Sequence, residues 1–163
     1  MISIALLQLG TSALLAFNNW PAPPSTFGAK VDGKALTGNP GSNNCLLMMN
    51  ALNVGANMAD GSYVTVEIMP AAFPKLPVTL SASGGSLEKY AKIFYYPKGI
   101  KDAMNMYTSV GSTGTVTITR YNAAARTIAG TFSGQLVRGP GSKATVKTVQ
   151  LTDGRFDVTF NKM

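Results

Sequence analysis

Histidine is absent from this chain of 163 residues, and cysteine occurs once, as Cys45. These two scarcities remove whole classes of chemistry. No Ser-His-Asp triad, Cys-His dyad or histidine-ligated zinc or iron site can be assembled from the residues present. A lone cysteine also forms no internal disulfide; set against Leu46-Leu47-Met48-Met49, it reads as a small buried hydrophobe. Charge is scarce too, at 13% of residues, which argues against a charged coiled coil or a solvating disordered chain. A membrane-spanning helix needs about 20 apolar residues. The longest apolar stretch, residues 1–17 (MISIALLQLGTSALLAF), is shorter and is interrupted by Gln8, Gly10, Thr11 and Ser12.

The inventory for catalysis is equally thin. Of the 7 carboxylates, Asp32, Asp60 and Asp153 each precede glycine and are explained by turns. A glycosidase needs two carboxyl groups converging across a cleft, and Glu67 with Glu88 is a pairing that nothing else in the sequence supports. No D-x-D-x-D-G calcium loop occurs. The stretches SASGGS (81–86) and RGPGS (138–142) match neither a P-loop nor a dinucleotide fingerprint and read as turns. No catalytic, cofactor-binding or metal-ligating residues are assigned, no cofactor is expected, and the chain is not expected to be an enzyme.

What is present is β-sheet vocabulary. Tyr63–Met69 (YVTVEIM) alternates, with Val64, Val66 and Ile68 on one face and Tyr63, Thr65 and Glu67 on the other. Thr115–Tyr121 places Val116 and Ile118 inward. Arg126–Val137 presents Ile128, Phe132 and Leu136 on one face together with Gly130 and Gly134, where either something bulky packs over them or the strand bends. Asp32-Gly33, Asp60-Gly61 and Asp153-Gly154 mark strand boundaries, the last read as the turn of a hairpin from Val146–Leu151 to Arg155–Phe160. About eight or nine short strands are expected, the pattern of a sandwich or barrel, and an antiparallel β-sandwich is the architecture expected of the two. Helix is minor: one turn over Ser86–Ala91 and two over Ile100–Tyr107. The domain plan is an apolar arm (1–17), a Pro-rich linker (18–26) and a β domain (27–163).

Net charge is +7, but the basic residues are scattered and no nucleic-acid recognition motif is present, so nucleic acid is not expected as a partner. Lys89, Lys92, Lys98 and Lys101 interleave with Tyr90, Phe94, Tyr95 and Tyr96. Aromatics beside cations suit a ligand such as a glycan; a strand with one buried face and a solvated lysine edge is the plainer reading. The 8 methionines, among them Met48, Met49, Met58, Met104 and Met106, read as core filling. The arm lacks the basic start and small cleavage-site residues of a secretory signal. Ile2, Ile4 and Leu6 alternate as in a strand, which either completes this protein's own sheet or inserts into a neighbouring copy.

Three segments resemble small β-rich surface lipoproteins of Bacteroidota: AKVDGKALTG (29–38), GTVTITRYNAAARTIAGTFSGQLV (114–137) and KTVQLTDGRFDVTF (147–160). The resemblance implies an exported, extracellular or cell-surface β-sandwich and carries no catalytic residues. The lipidation cysteine of that family is missing here. Two functions follow as expectations. The first is a structural subunit, a homo-oligomer or polymer in which the arm (Ile2, Ile4, Leu6, Leu7, Leu9) adds a strand to its neighbour. The second is a monomeric surface module that binds a glycan or protein through Tyr90, Lys92, Phe94, Tyr95 and Tyr96. Membrane association is not decided by these residues.

Overall fold

The structure, a computed structural model, describes residues 25–40, 45–69, 72–83, 90–140 and 147–163. Its strands are β1 (Thr26–Val31), β2 (Lys34–Asn39), β3 (Cys45–Met48), β4 (Ala51–Met58), β5 (Tyr63–Met69), β6 (Val78–Ser81), β7 (Tyr90–Tyr96), β8 (Tyr107–Asn122), β9 (Thr127–Arg138), β10 (Thr148–Thr159) and β11 (Asn161–Lys162). Helix among the described residues is a 3-10 turn at Ala103–Asn105 in place of the expected two turns over Ile100–Tyr107. Tyr90 and Ala91, expected to end a helical turn, begin β7 instead.

The sheet is all-β and antiparallel around a ring, but it is a barrel and not the expected sandwich. Eight strands run in the order β4-β2-β1-β10-β9-β8-β7-β5, and β5 pairs back onto β4. The ring is drawn shut at two narrow seams. β2 meets β4 through Gly38–Met58 and Asn39–Asn57, and β7 meets β8 through Phe94–Thr108 and Tyr95–Tyr107. Extra strands lie beside both seams: β3 and β11 extend from β4, and β6 pairs with β8. Period-two alternation is common to sandwiches and barrels, so it does not distinguish them. Bulges do the bending here. Register shifts between Thr108 and Thr113, Ile118 and Arg120, and Leu151 and Gly154 curve the long strands until the sheet closes.

The last of these corrects the expected final hairpin. Asp153 adopts φ 51° and Gly154 follows, yet the chain does not turn back, and β10 runs on as one strand of 12 residues. Asp32-Gly33 does form the two-residue turn between β1 and β2, with φ of 48° and 81°.

Inward side chains fill the barrel. Leu52, Val54, Val64, Val66, Ile68, Ile93, Val116, Ile118, Ile128, Leu136 and Leu151 are fully buried. Each such side chain stabilises the fold by about 1.5–3 kcal/mol relative to exposure. Rings fill one sector, with Phe132 5.4 Å from Phe27 and 6.2 Å from Phe156. The bulky packing is present over Gly130, where a Cβ would lie 2.7 Å from the Phe156 ring, whereas the atoms nearest a Cβ on Gly134 are backbone atoms of Thr113 and Gly114. Met58 is core, as expected, but Met48, Met49 and Met104 are exposed at 44%, 86% and 52%: Met48 ends the strand β3, Met49 stands in the turn after it, and Met104 lies in the 3-10 turn between β7 and β8. Cys45 is buried as expected; burial pushes its thiol pKa up, and it donates weakly to the Gly55 carbonyl at 3.8 Å.

Glycine is required at the first seam. A Cβ on Gly38 would stand 2.6 Å from the Ala56 Cβ and 2.8 Å from the Met58 sulfur. We therefore expect Gly38→Val to part β2 from β4 and to cost about 3 kcal/mol in denaturant unfolding. The amides of Asn57 and Met58 should lose hydrogen-exchange protection before the rest of the barrel does. A variant as stable as the parent would show that the seam does not hold the ring.

Candidate functional site

Ring closure assigns every strand residue to the interior or to the outer wall. On the wall of β5 and β7 it gathers most of the sequence-predicted ligand residues. β7 alternates strictly: Ala91, Ile93 and Tyr95 are buried, while Tyr90, Lys92, Phe94 and Tyr96 are half-buried on the outside. Successive outward residues stand about 6.8 Å apart along a strand, so Tyr90 to Tyr96 spans about 20 Å of wall. Tyr95 does not belong to this face. It is 8% exposed, lies 6.1 Å from Tyr107 in the interior, and burial raises its phenol pKa. The parity that puts Phe94 outside puts Tyr95 inside, so listing all the aromatics of YAKIFYY together overlooked the pleat.

β5 supplies partners that the sequence reading left out of the site. Tyr63 pairs with Tyr96, Thr65 with Phe94 and Glu67 with Lys92. The Tyr63 and Tyr96 rings are 5.9 Å apart and inclined by 54°. Tyr63 extends over Gly55 of β4, which has no side chain to obstruct it. Glu67 is the polar node of the face. It accepts the Tyr90 hydroxyl at 2.6 Å and lies 3.5 Å from the Lys92 ammonium, which itself sits 4.3 Å from the centre of the Tyr90 ring. The face thus has aromatic rings toward both ends and one neutralised ion pair between them. Outward aromatics on a strand with a charged residue opposite were a usable signal for Glu67, because YVTVEIM alternates in sequence as YAKIFYY does, although Tyr63 and Thr65 on the outer side of β5 are themselves buried. The plainer reading holds for the one buried face of β7, but β7 is not a free edge: it pairs with β5 along its length and with β8 at Phe94 and Tyr95.

The other chemistry-bearing groups are dispersed. Asp32 accepts the Gln150 amide at 2.7 Å, Asp60 the Ser62 hydroxyl at 2.6 Å, and Asp102 the Asn105 side chain at 2.7 Å. Asp153 pairs with Lys30 and Asp157 with Arg120. The bond from Ser62 holds the Asp60 carboxyl below its ordinary pKa. Among the described residues no three of His, Cys, Asp and Glu converge. Glu88, the arm residues Ile2, Ile4, Leu6, Leu7 and Leu9, and most of the linker lie outside the described residues. A surface concavity of about 650 Å³ lies over β1, β2 and β10; Gly28, Thr37 and Arg155 are among its lining residues. Comparison with protein-family models, curated proteins and solved structures finds no match to this chain.

The Glu67–Tyr90 bond has a titration signature. Accepting the phenolic proton, Glu67 raises the Tyr90 pKa above its ordinary value of 10.0. The native state therefore favours the neutral phenol. That contribution is complete below the unfolded pKa and is lost as pH rises through the higher folded one. Glu67→Gln should return the Tyr90 phenolate transition, followed by ultraviolet absorbance, to lower pH. An unchanged transition would show that the bond does not persist in solution.

Proposed function

We propose that this chain is a non-catalytic, exported surface module that binds an extended neutral glycan along the outer wall of β5 and β7. One observation carries the reading: Tyr90, Phe94 and Tyr96 share a half-exposed outer wall with a hydrogen-bonding node, Glu67 and Lys92, between the rings, and the buried Tyr63 ring backs Tyr96. Aromatic faces stack on the C–H faces of sugars, and the node offers donors and acceptors to hydroxyl groups. Lys92 and Glu67 neutralise each other, which favours an uncharged ligand over an acidic polymer. The interior supports the same choice of surface, because the inward side chains fill the barrel and the ligand is read from outside. The exported address rests on the surface-lipoprotein resemblance, and the non-catalytic reading on the carboxylates among the described residues being tied to structural partners.

The test is a glycan array followed by titration of a positive neutral oligosaccharide. Phe94→Ala and Tyr96→Ala should each weaken binding at least tenfold, with the barrel still folded by circular dichroism. Binding unchanged in both variants, or confined to acidic polymers, would refute the reading.

A second reading, strand exchange between copies, has one observation in its favour. Among the described residues Lys34–Leu36 of β2 pair with β1 alone, because pairing with β4 starts only at Gly38. An arm from a neighbouring copy would find main-chain partners along that edge. Light scattering of the full chain and of a chain lacking residues 1–17 decides it. Polymers that disappear on truncation support exchange, and a monomer in both excludes it.

A further inference from the structure

The connection from β7 to β8, residues 97–106, is firmly tied yet displays apolar side chains to water. The Asp102 amide donates to the Gly99 carbonyl at 3.0 Å, and the Asn105 amide to the Asp102 carbonyl at 3.1 Å. Gly99 abuts the β4–β5 turn, where an added Cβ would lie 3.1 Å from the Gly61 carbonyl. At the far end, Met106 packs on Gly139, whose amide donates to the Met106 carbonyl at 3.0 Å. Between these anchors Ile100 is 57% exposed and Met104 52% exposed. An anchored loop has no need to leave two large apolar groups in solvent for its own stability.

Cations share this end of the barrel. Lys98 and Lys101 flank Ile100 in the loop and are exposed. Arg138 and Lys147 are brought to the same barrel end, since Arg138 pairs with Tyr107 and its amide donates to the Lys147 carbonyl. Lys34 reaches this end too, 3.7 Å from Asp60 in the β4–β5 turn. The carboxylates there are Asp32, Asp60 and Asp102, and each is engaged: with the Gln150 amide, with Ser62 and Lys34, and with Asn105. The cations outnumber them.

We propose that this barrel end docks on an anionic lipid bilayer, with Ile100 and Met104 entering the headgroup boundary and Lys98, Lys101 and Lys147 facing lipid phosphates. Exposed apolar groups beside lysines combine shallow insertion with attraction to a negative surface. The mode is peripheral. The outer wall of β8, β9 and β10 carries Thr115, Thr117, Thr131 and Arg155 while the interior is apolar, the reverse of a barrel that crosses a membrane.

The experiment is co-sedimentation of the full chain with phosphatidylglycerol-containing vesicles and with pure phosphatidylcholine vesicles. Binding should occur on the anionic vesicles, weaken as salt is raised, and be at least tenfold lower on phosphatidylcholine. The double variants Ile100→Ser/Met104→Ser and Lys98→Glu/Lys101→Glu, with folding verified by circular dichroism, should each lose at least tenfold. No binding to anionic vesicles, equal binding to both lipids, or parental binding by either double variant would overturn the proposal; the last would place the contact elsewhere in the chain.

Discussion

The Gly38–Met58 and Asn39–Asn57 pairs between β2 and β4 are the contact on which the rest of the structure depends. They join the strand that follows the first turn to a strand already paired with β5, and so convert an open sheet into a ring. Inside that ring inward residues meet one another, and the edge left at the seam is short, Lys34–Leu36 of β2. The contact is short and rests on Gly38, which lets β2 approach the Ala56 and Met58 side chains. A similarly narrow seam joins β7 to β8, where the Ile93 amide donates to the buried Ser109 hydroxyl at 2.9 Å. The barrel is thus held shut by few bonds and kept shut by the apolar interior that those bonds enclose.

Closure also divides structural residues from residues available for function. Once Ala91, Ile93 and Tyr95 are committed to the interior, Tyr90, Lys92, Phe94 and Tyr96 are left on the wall, where rings add less to stability than in the core. Tyr63 partly supports them from β5, and Glu67 ties Tyr90 and Lys92 into one node. A rigid wall holding amphipathic rings loses little conformational freedom on binding, which suits a ligand that is long, flat and hydroxylated. The loop leaving β7 at Tyr96 carries the exposed Ile100 and Met104, so one strand feeds both proposed surfaces.

How much was legible depended on whether local pattern or long-range pairing decided the outcome. YVTVEIM and YAKIFYY declared their strands and faces, because alternation is a local property. The Asp32-Gly33 turn was readable for the same reason. Asp153-Gly154 carries the same dipeptide and became a bulge, because β9 and β1 keep pairing on either side of it. β3 and β4 were passed over: CLLMMNALNVGANM mixes small, polar and apolar residues, and its role as closing strand comes from partners distant in sequence. Barrel against sandwich was undecidable from alternation for that reason. Within the site, Tyr90, Lys92, Phe94 and Tyr96 were found, Tyr95 was included against its parity, and Glu67 was read as an outward carboxylate and weighed against Glu88, not joined to the aromatics of β7.

The most direct test of the account is a backbone amide NMR titration of the full chain with a neutral oligosaccharide that scores on the array. The account predicts shifts concentrated on β5 and β7, at Tyr63, Thr65, Glu67, Tyr90, Lys92, Phe94 and Tyr96, with interior amides such as Leu136 and Leu151 undisturbed. Shifts centred on the concavity over Gly28, Thr37 and Arg155, or saturable binding that leaves β5 and β7 unmoved, would contradict it.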